Sequence, residues 1–282
     1  MSRLGFVGLG QIGKPMAKRW SDWPGGLVVC DVNPEAVASF AEHGASVVST
    51  PAEMARQVGL LSVMVRDDAQ VSEVVASALR TAQPGTVIAI HSTISVATAE
   101  RIEREAGEHG VLVVDAPVSG GGMGAADGRL AVMVGGTDEA FAACEKPFAA
   151  FADLVIHAGP IGAGTKMKLA RNLLHFVAFT AVTEAQRLAE AAGLDIVQLG
   201  QVVRHSDAVT GGPGAIMHRD TTAPLSGDDP WYSVMQHVVG LGEKDLTLAL
   251  DLARELMVDV PLAELARGRL AAGLGLPNGS ER

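Results

Sequence analysis

Three glycines, spaced Gly8-x-Gly10-x-x-Gly13, stand between the apolar run Leu4–Val7 and a helical pattern that starts at Lys14. Alone the spacing says little; its place between a strand and a helix is what constrains the chain. The first glycine permits a tight turn, the second lets a pyrophosphate approach the backbone, and the third lets helix and strand pack closely. The helix start then offers backbone N–H groups to phosphate. With a strand before and a helix after, residues Gly8, Leu9, Gly10, Gln11, Ile12 and Gly13 read as a dinucleotide-binding loop. The same stretch also reads GxxxxGK, from Gly8 to Lys14. Pro15 stands where a nucleotide triphosphatase needs a hydroxyl for magnesium, so that reading is set aside.

The first half continues the alternation. Apolar runs at Leu27–Cys30, Ser46–Val48, Leu60–Val65, Val87–Ile90, Val111–Val114, Leu130–Val134 and Leu154–Ile156 predict strands. Periodic segments at Lys14–Trp20, Pro34–His43, Ala52–Arg56, Gln70–Ala78 and Val96–Glu108 predict helices. Such alternation predicts a mainly parallel sheet covered on both faces. After Gly164 the strands stop. One long helical pattern runs from Lys166 to Ala192 and ends at Gly193. Further helices are expected near Ile196–His205, Tyr232–Met257 and Pro261–Ala272, interrupted by the loop "TGGPG". The expected architecture is an α/β Rossmann-type N-terminal domain, residues 1–162, and an all-α C-terminal domain, residues 163–282, joined by a long helix.

Composition excludes several partners. The net charge of −10 argues against nucleic acid and anionic membrane, which both reward basic surfaces. The apolar stretch Phe176–Val182 is far shorter than the ~20 residues that span a bilayer. The start "MSRLGFVGLG" lacks the form of a signal peptide, and a cytoplasmic protein is expected. Cys30 and Cys144 form no CxxC pair, and the eight histidines show no metal spacing, so no metal is expected.

Asp31 ends the second strand, 18 residues past Gly13, close to the ~20 expected for the acid that accepts a ribose 2′-hydroxyl. A 2′-phosphate would meet like charge there, and no arginine follows in "DVNPE", so NAD is favoured over NADP. A helix cap for the segment starting at Pro34 is an alternative role for Asp31. Ligands of such sheets bind beyond the carboxyl ends of strands, where Val65, Arg66, Ser92, Thr93, Ser119, Gly120 and Gly121 lie. Thr93 offers either a hydroxyl to the nicotinamide ribose or a cap to the helix near Val96. The amides of Ser119-Gly120-Gly121 could form a nest for a carboxylate.

"GAGTKMKLARN", residues 162–172, places cations at a helix start, the positive end of the dipole. Lys168 and Asn172 are i and i+4 and share one helix face. Lys166 lies about 200° around the helix from Lys168 and cannot share it.

Four separated stretches resemble the β-hydroxyacid dehydrogenases, typified by 3-hydroxyisobutyrate dehydrogenase. "GFVGLGQIGKPMA" is similar to the family's cofactor loop, and "DAPVSGGGMGAADGRLAVMVGG" (115–136) to its substrate loop. "GAGTKMKLARN" is similar to its catalytic helix start, and "EKDLTLAL" (243–250) to its C-terminal lysine motif. The resemblance implies hydride transfer between a small 3-hydroxy acid and NAD. It makes Lys168 the general acid–base and Asn172 its partner, both also touching substrate. It gives the substrate carboxylate to Ser119, Gly120 and Gly121, and makes Lys244 reach both nicotinamide and substrate. With the apolar stretch "LLHFVAFTAV" it implies a homodimer or homotetramer. Arg66, His91 and Arg129 depart from the family's common residues, which leaves the particular acid open. An imine reductase-like NAD(P)H enzyme shares the architecture, but Lys168 counts against it. A catalytically silent dinucleotide-binding protein would not need Lys168, Asn172 and the serine–glycine loop together.

Overall fold

The computed structural model describes residues 2–277. Leu4–Val7 (β1), Leu27–Cys30 (β2), Ser46–Val47 (β3), Leu60–Val63 (β4), Val87–Ile90 (β5) and Leu112–Asp115 (β6) pair in parallel. Val118–Ser119 (β7), Leu130–Gly135 (β8) and Ala152–Gly159 (β9) complete the sheet. Its order is β3-β2-β1-β4-β5-β6-β8-β7, with β9 pairing β8. β8 runs antiparallel to β6 and β7, so the sheet is mainly, not wholly, parallel.

Strands β1, β2, β4 and β5 are buried at every position. Their continuous apolar runs have that cause: side chains alternate between two cores. Leu4, Phe6, Leu60, Val87 and Ala89 join Trp20, Phe148 and Phe151 on one face. Val7, Leu61, Val63, Ile88 and Ile90 join Val71 and Ile102 on the other. The helices that cover these faces are Gly13–Lys18 (α1), Pro34–Ala41 (α2), Pro51–Ala55 (α3), Asp68–Leu79 (α4), Val96–Gly107 (α5), Gly121–Asp127 (α6) and Asp138–Phe148 (α7). The strand β7 and the helices α6 and α7 were not expected from the sequence. Asn33, not Asp31, caps α2, and Ser95, not Thr93, caps α5.

Helices then follow: Ala163–Ala191 (α8), Ile196–Thr210 (α9), Tyr232–Glu255 (α10) and Pro261–Gly273 (α11). A 3-10 turn over Gly212–Ile216 occupies the "TGGPG" region. Gly193 stops α8 with a φ of 74°. The chain divides into two compact units after Arg171, inside α8. In the second unit, Glu184 on α8 is buried and accepts the N–H groups of Leu262 and Ala263, both at 2.9 Å, at the start of α11. No helix among the described residues is long and apolar enough to cross a membrane.

His91 stands at the end of β5, 1% exposed, stacked on Phe6 and edge-on to Phe148. Its Nδ1 lies 2.8 Å from the Ala116 carbonyl and its Nε2 lies 2.9 Å from Ser62 Oγ. A carbonyl only accepts, so Nδ1 donates; the ring being neutral at neutral pH, Nε2 accepts from the Ser62 hydroxyl. Burial pulls its pKa down to about 4. His91 is therefore a core group and not a ligand-facing one.

The unfolded chain takes up a proton near pH 6.5 and the folded one not until about 4, so stability falls as pH drops through that window. At about 1.4 kcal/mol per pH unit the loss is on the order of 3 kcal/mol. His91→Phe should be less stable at pH 7, by about 1–3 kcal/mol for the groups left unpaired. Its stability should nonetheless fall less steeply between pH 6.5 and 4 than that of the wild type. Urea melts across that range read both slopes, and equal slopes would show that His91 is not the acid-sensitive group.

Candidate active site

The glycine loop divides by what each glycine is for. Gly8 has a φ of 91°, and a Cβ there would lie 2.2 Å from the Met64 carbonyl. A Cβ at Gly13 would lie 2.0 Å from the Gly8 carbonyl. The chain itself therefore requires both. A Cβ at Gly10 meets nothing within 4 Å. The fold does not explain that glycine, and the open space before it does: it admits a bulky ligand to the backbone.

Helix capping points the same way. α2, α3, α4, α5 and α7 are capped by the side chains of Asn33, Thr50, Asp67, Ser95 and Thr137. α1 begins at the loop with no side-chain cap and no acid in its first turn. Its N–H groups suit an anion. A cavity of about 420 Å³ opens beside the loop, bounded by Val7, Gly8, Asp31, Val32, Val65 and Gln70 among others. These features fit the pyrophosphate and one nucleoside of a dinucleotide, which when bound supplies or accepts hydride.

Asp31 accepts the N–H of Leu9 at 2.5 Å and that of Asn33 at 2.8 Å. It thus fastens the glycine loop while facing the cavity. Ser92 Oγ donates to the Val65 carbonyl at 2.7 Å and accepts the Val65 N–H at 2.9 Å, which fixes the cavity wall. Arg66 pairs with Asp67 at 3.2 Å and is largely exposed, and Thr93 is exposed; neither bounds this cavity. Burial and the neighbouring Asp31 push the Cys30 thiol up to about 11, and burial pushes Cys144 up to about 12, so neither is a thiolate at neutral pH.

Ser119 lies on β7, and Gly120 and Gly121 follow with φ values of 130° and 65°. These conformations let the chain turn into α6, which has no side-chain cap. A Cβ at Gly122 would lie 3.0 Å from the Gln11 carbonyl. The start of α6 therefore rests on the glycine loop, and residues 119–121 stand beside it.

On α8, Lys168 is 9% exposed while Lys166 and Arg171 are exposed. Burial, then the positive charge of Arg171, holds the Lys168 pKa below the ordinary lysine value. Asn172, one turn on and half-buried, shares its face by helix spacing. Sequence reasoning missed Asp115, at the end of β6, which is fully buried. Its oxygens accept the N–H groups of Gly162 at 2.7 Å and Thr165 at 2.6 Å, at the start of α8. In the second unit Lys244 lies on α10, 3.0 Å from Asp245.

The family model described as the NAD binding domain of 6-phosphogluconate dehydrogenase matches residues 3–159. That described as NAD-binding of NADP-dependent 3-hydroxyisobutyrate dehydrogenase matches residues 162–279. The chain belongs to the β-hydroxyacid dehydrogenase family. Among members of this family, an uncharacterized oxidoreductase of Mycobacterium tuberculosis is 56% identical, over 98% of this chain and 94% of its own length. The crystal structure of an oxidoreductase from Mycobacterium avium 104 is 52% identical, with a TM-score of 0.94, covering 98% of this chain and 99% of that one. The Mycobacterium tuberculosis 3-hydroxyisobutyrate dehydrogenase, solved with L-serine, is 30% identical, with a TM-score of 0.68 over 98% and 96% of the two chains. As a member of this family the chain carries NAD(P)-binding domains and is an oxidoreductase.

The division among the glycines is testable. Gly10→Ala should melt close to wild type yet bind NADH about tenfold or more weakly, a loss of about 1.4 kcal/mol. Gly13→Ala should instead lose stability, by the ~1–3 kcal/mol of an overpacked contact. Thermal melts with NADH fluorescence titrations separate the two. If both variants lose stability equally, Gly10 serves the fold and not the ligand.

Proposed function

We propose that this chain is an NAD-dependent dehydrogenase of a small 3-hydroxy acid resembling 3-hydroxyisobutyrate, acting in the cytoplasm. The observation that carries the reading is Lys168: a buried lysine whose ammonium form is disfavoured, one turn into a helix at the carboxyl edge of the sheet. A substrate hydroxyl that loses hydride from its carbon must also lose its proton. A base works best with a pKa near the working pH, and ordinary lysine, at ~10.4, is too basic. In this reading the Lys168 amine takes the hydroxyl proton, and a nicotinamide bound beside it would supply the hydride acceptor. The products are the oxo acid, the reduced cofactor and a proton, which passes from Lys168 to solvent. Asn172 orients the amine and the hydroxyl. The amides of Ser119, Gly120 and Gly121 hold the substrate carboxylate, and Lys244, Arg66, Val65 and Thr93 serve cofactor and substrate as the family resemblance implies.

The test compares two lysines in the same turn. Lys168→Ala should lower kcat by at least the ~10²–10⁴ of general acid–base catalysis and abolish the rising limb of the kcat/KM pH profile. Lys166→Ala should cost far less, because its side chain points to solvent. Equal damage from both, with folding and NADH binding intact, would replace a positioned base with general electrostatics.

Asp31 supports NAD as the working cofactor. Its carboxylate faces the cavity and is tied to Leu9. We expect kcat/KM to favour NAD over NADP by about tenfold or more, the effect of ~1.4 kcal/mol of repulsion. Asp31→Ser should narrow the gap; equal use of both cofactors by the wild type would overturn the preference.

A second copy of the chain is the partner we propose for the helical unit. Leu173, Phe176 and Phe179 on α8, Val197 on α9 and Leu248 on α10 are all more than half exposed. So much open apolar surface marks an interface. A homodimer or dimer of dimers is expected by light scattering, and a monomer at micromolar concentration would contradict it.

A further inference from the structure

We propose that Asp115 is a positioning residue: from the end of β6 it clamps the start of α8 and so sets where Lys168 stands and how tightly it holds its proton. The inference rests on the reading of Lys168 as the acid–base group.

The geometry of the clamp is specific. A fully buried carboxylate is costly unless its oxygens are hydrogen-bonded. Asp115 Oδ1 accepts from Gly162 and Oδ2 from Thr165, two N–H groups at the start of α8. The contact leaves no room to slide. A Cβ at Gly135 would lie 2.3 Å from Asp115 Oδ1. A Cβ at Gly164 would lie 2.3 Å from the Met133 carbonyl and 2.5 Å from that of Asp115. Thr165, the anchored residue, is three positions before Lys168, less than one turn. The lysine inherits its place from that anchor.

The charges around this turn are few. On α8 itself are Lys166 and Arg171, and Arg171 acts on Lys168 directly. β6 contributes Asp115. α5 contributes Glu100, 3.8 Å from where a Cβ at Gly162 would lie. β8 presents Met133 and Gly135, which carry no charge, and His157 of β9 is engaged with the Gly136 carbonyl and with Asp138. Asp115 is thus one of two carboxylates at the positive end of α8 and the one bonded to it; burial raises its pKa, and its bonds to Thr165 and Gly162 pull it part-way back down. It offsets the helix dipole that would otherwise disfavour an ammonium there. Removing its charge deletes an opposite charge and exposes the dipole, and both effects release the proton more easily.

The experiment titrates Lys168 directly, by NMR of [13Cε]lysine in the full chain saturated with NADH. The resonance missing in Lys168→Ala identifies it. In Asp115→Asn, which keeps the shape but lacks one acceptor and the charge, the Lys168 midpoint should fall by about 0.5–1 pH unit. In steady-state assays kcat should fall by up to about 10²-fold, as for a displacement near 1 Å, with NADH affinity within about twofold of wild type. A packing role alone would lower the melting temperature and leave the lysine midpoint where it was. An unmoved midpoint in folded Asp115→Asn overturns the inference. Should that variant not fold, replacing Thr165 by its α-hydroxy acid removes a single N–H donor and keeps every side chain. The carboxylate is then less satisfied and the dipole weaker, so the midpoint should rise; no rise overturns the inference equally. The underlying reading fails separately, if Lys168→Ala retains kcat and the rising limb while the midpoint of Lys168 still responds to Asp115.

Discussion

Backbone meets backbone at the carboxyl edge of this sheet, and only hydrogen fits between. The Gly13 position closes on the Gly8 carbonyl, and the Gly164 position on the Met133 carbonyl, at separations a methyl group could not occupy. These contacts set the start of α1 and the start of α8 directly against the strand ends. Helix starts carry unsatisfied N–H groups, and so the same closeness that makes the fold compact delivers donors to one edge. What each helix start meets there decides its role.

Two acids at strand ends fasten backbone at this edge, one of them at a helix start. Asp31, after β2, takes the N–H of Leu9; Asp115, after β6, takes those of Gly162 and Thr165. Charge-assisted bonds of this kind contribute about 1.5–3 kcal/mol each, enough to hold a carboxylate that burial would otherwise expel. The starts of α1 and α6 receive no side chain. The outcome is a division of the edge: an anion-ready start at α1, and a neutralised start at α8. Cations at a helix N-terminus are disfavoured when the dipole is bare. They are tolerable at α8 because a buried carboxylate is already there.

Most of the sheet could be read in the sequence because burial on both faces leaves β1, β2, β4 and β5 almost wholly apolar, with Ser62 of β4 the polar exception, bonded to His91. Helix period puts Lys168 and Lys166 on different faces, and the resemblance, not the period, points to Lys168, the buried one. Other parts were hidden for identifiable reasons. β7 is two residues long and has no period to detect. α6 is "GGMGAAD", whose glycines advertise a turn and whose order comes from packing on Gln11. α7 carries Pro147 inside it. Thr93 reads as an alternative cap for α5, whereas the cap is Ser95, whose hydroxyl accepts the Thr98 N–H. Asp115 was missed although "VLVVD" repeats the pattern of "LVVCD": one acid closing an apolar strand. That repeat was the available signal, since an acid so placed must find donors or leave the sheet. Asn172 is placed on the Lys168 face by its spacing, while its role and that of Lys244 come only from the resemblance.

The tie between Asp31 and Leu9 changes the argument about cofactor choice. Charge repulsion alone is a weak discriminator at a partly exposed site, because a carboxylate can swing aside and salt screens the remainder. Here swinging aside breaks the bond that Leu9 donates, and Leu9 belongs to the loop that must hold the pyrophosphate. A ligand bearing a 2′-phosphate would therefore meet either an anion in place or a loosened phosphate loop. A carboxylate has about four acceptor positions, of which Leu9 and Asn33 use two. A ribose 2′-hydroxyl can donate to one that remains without disturbing either bond. The proposed preference for NAD would then come from the coupling of two tasks in one side chain, and not from its charge alone.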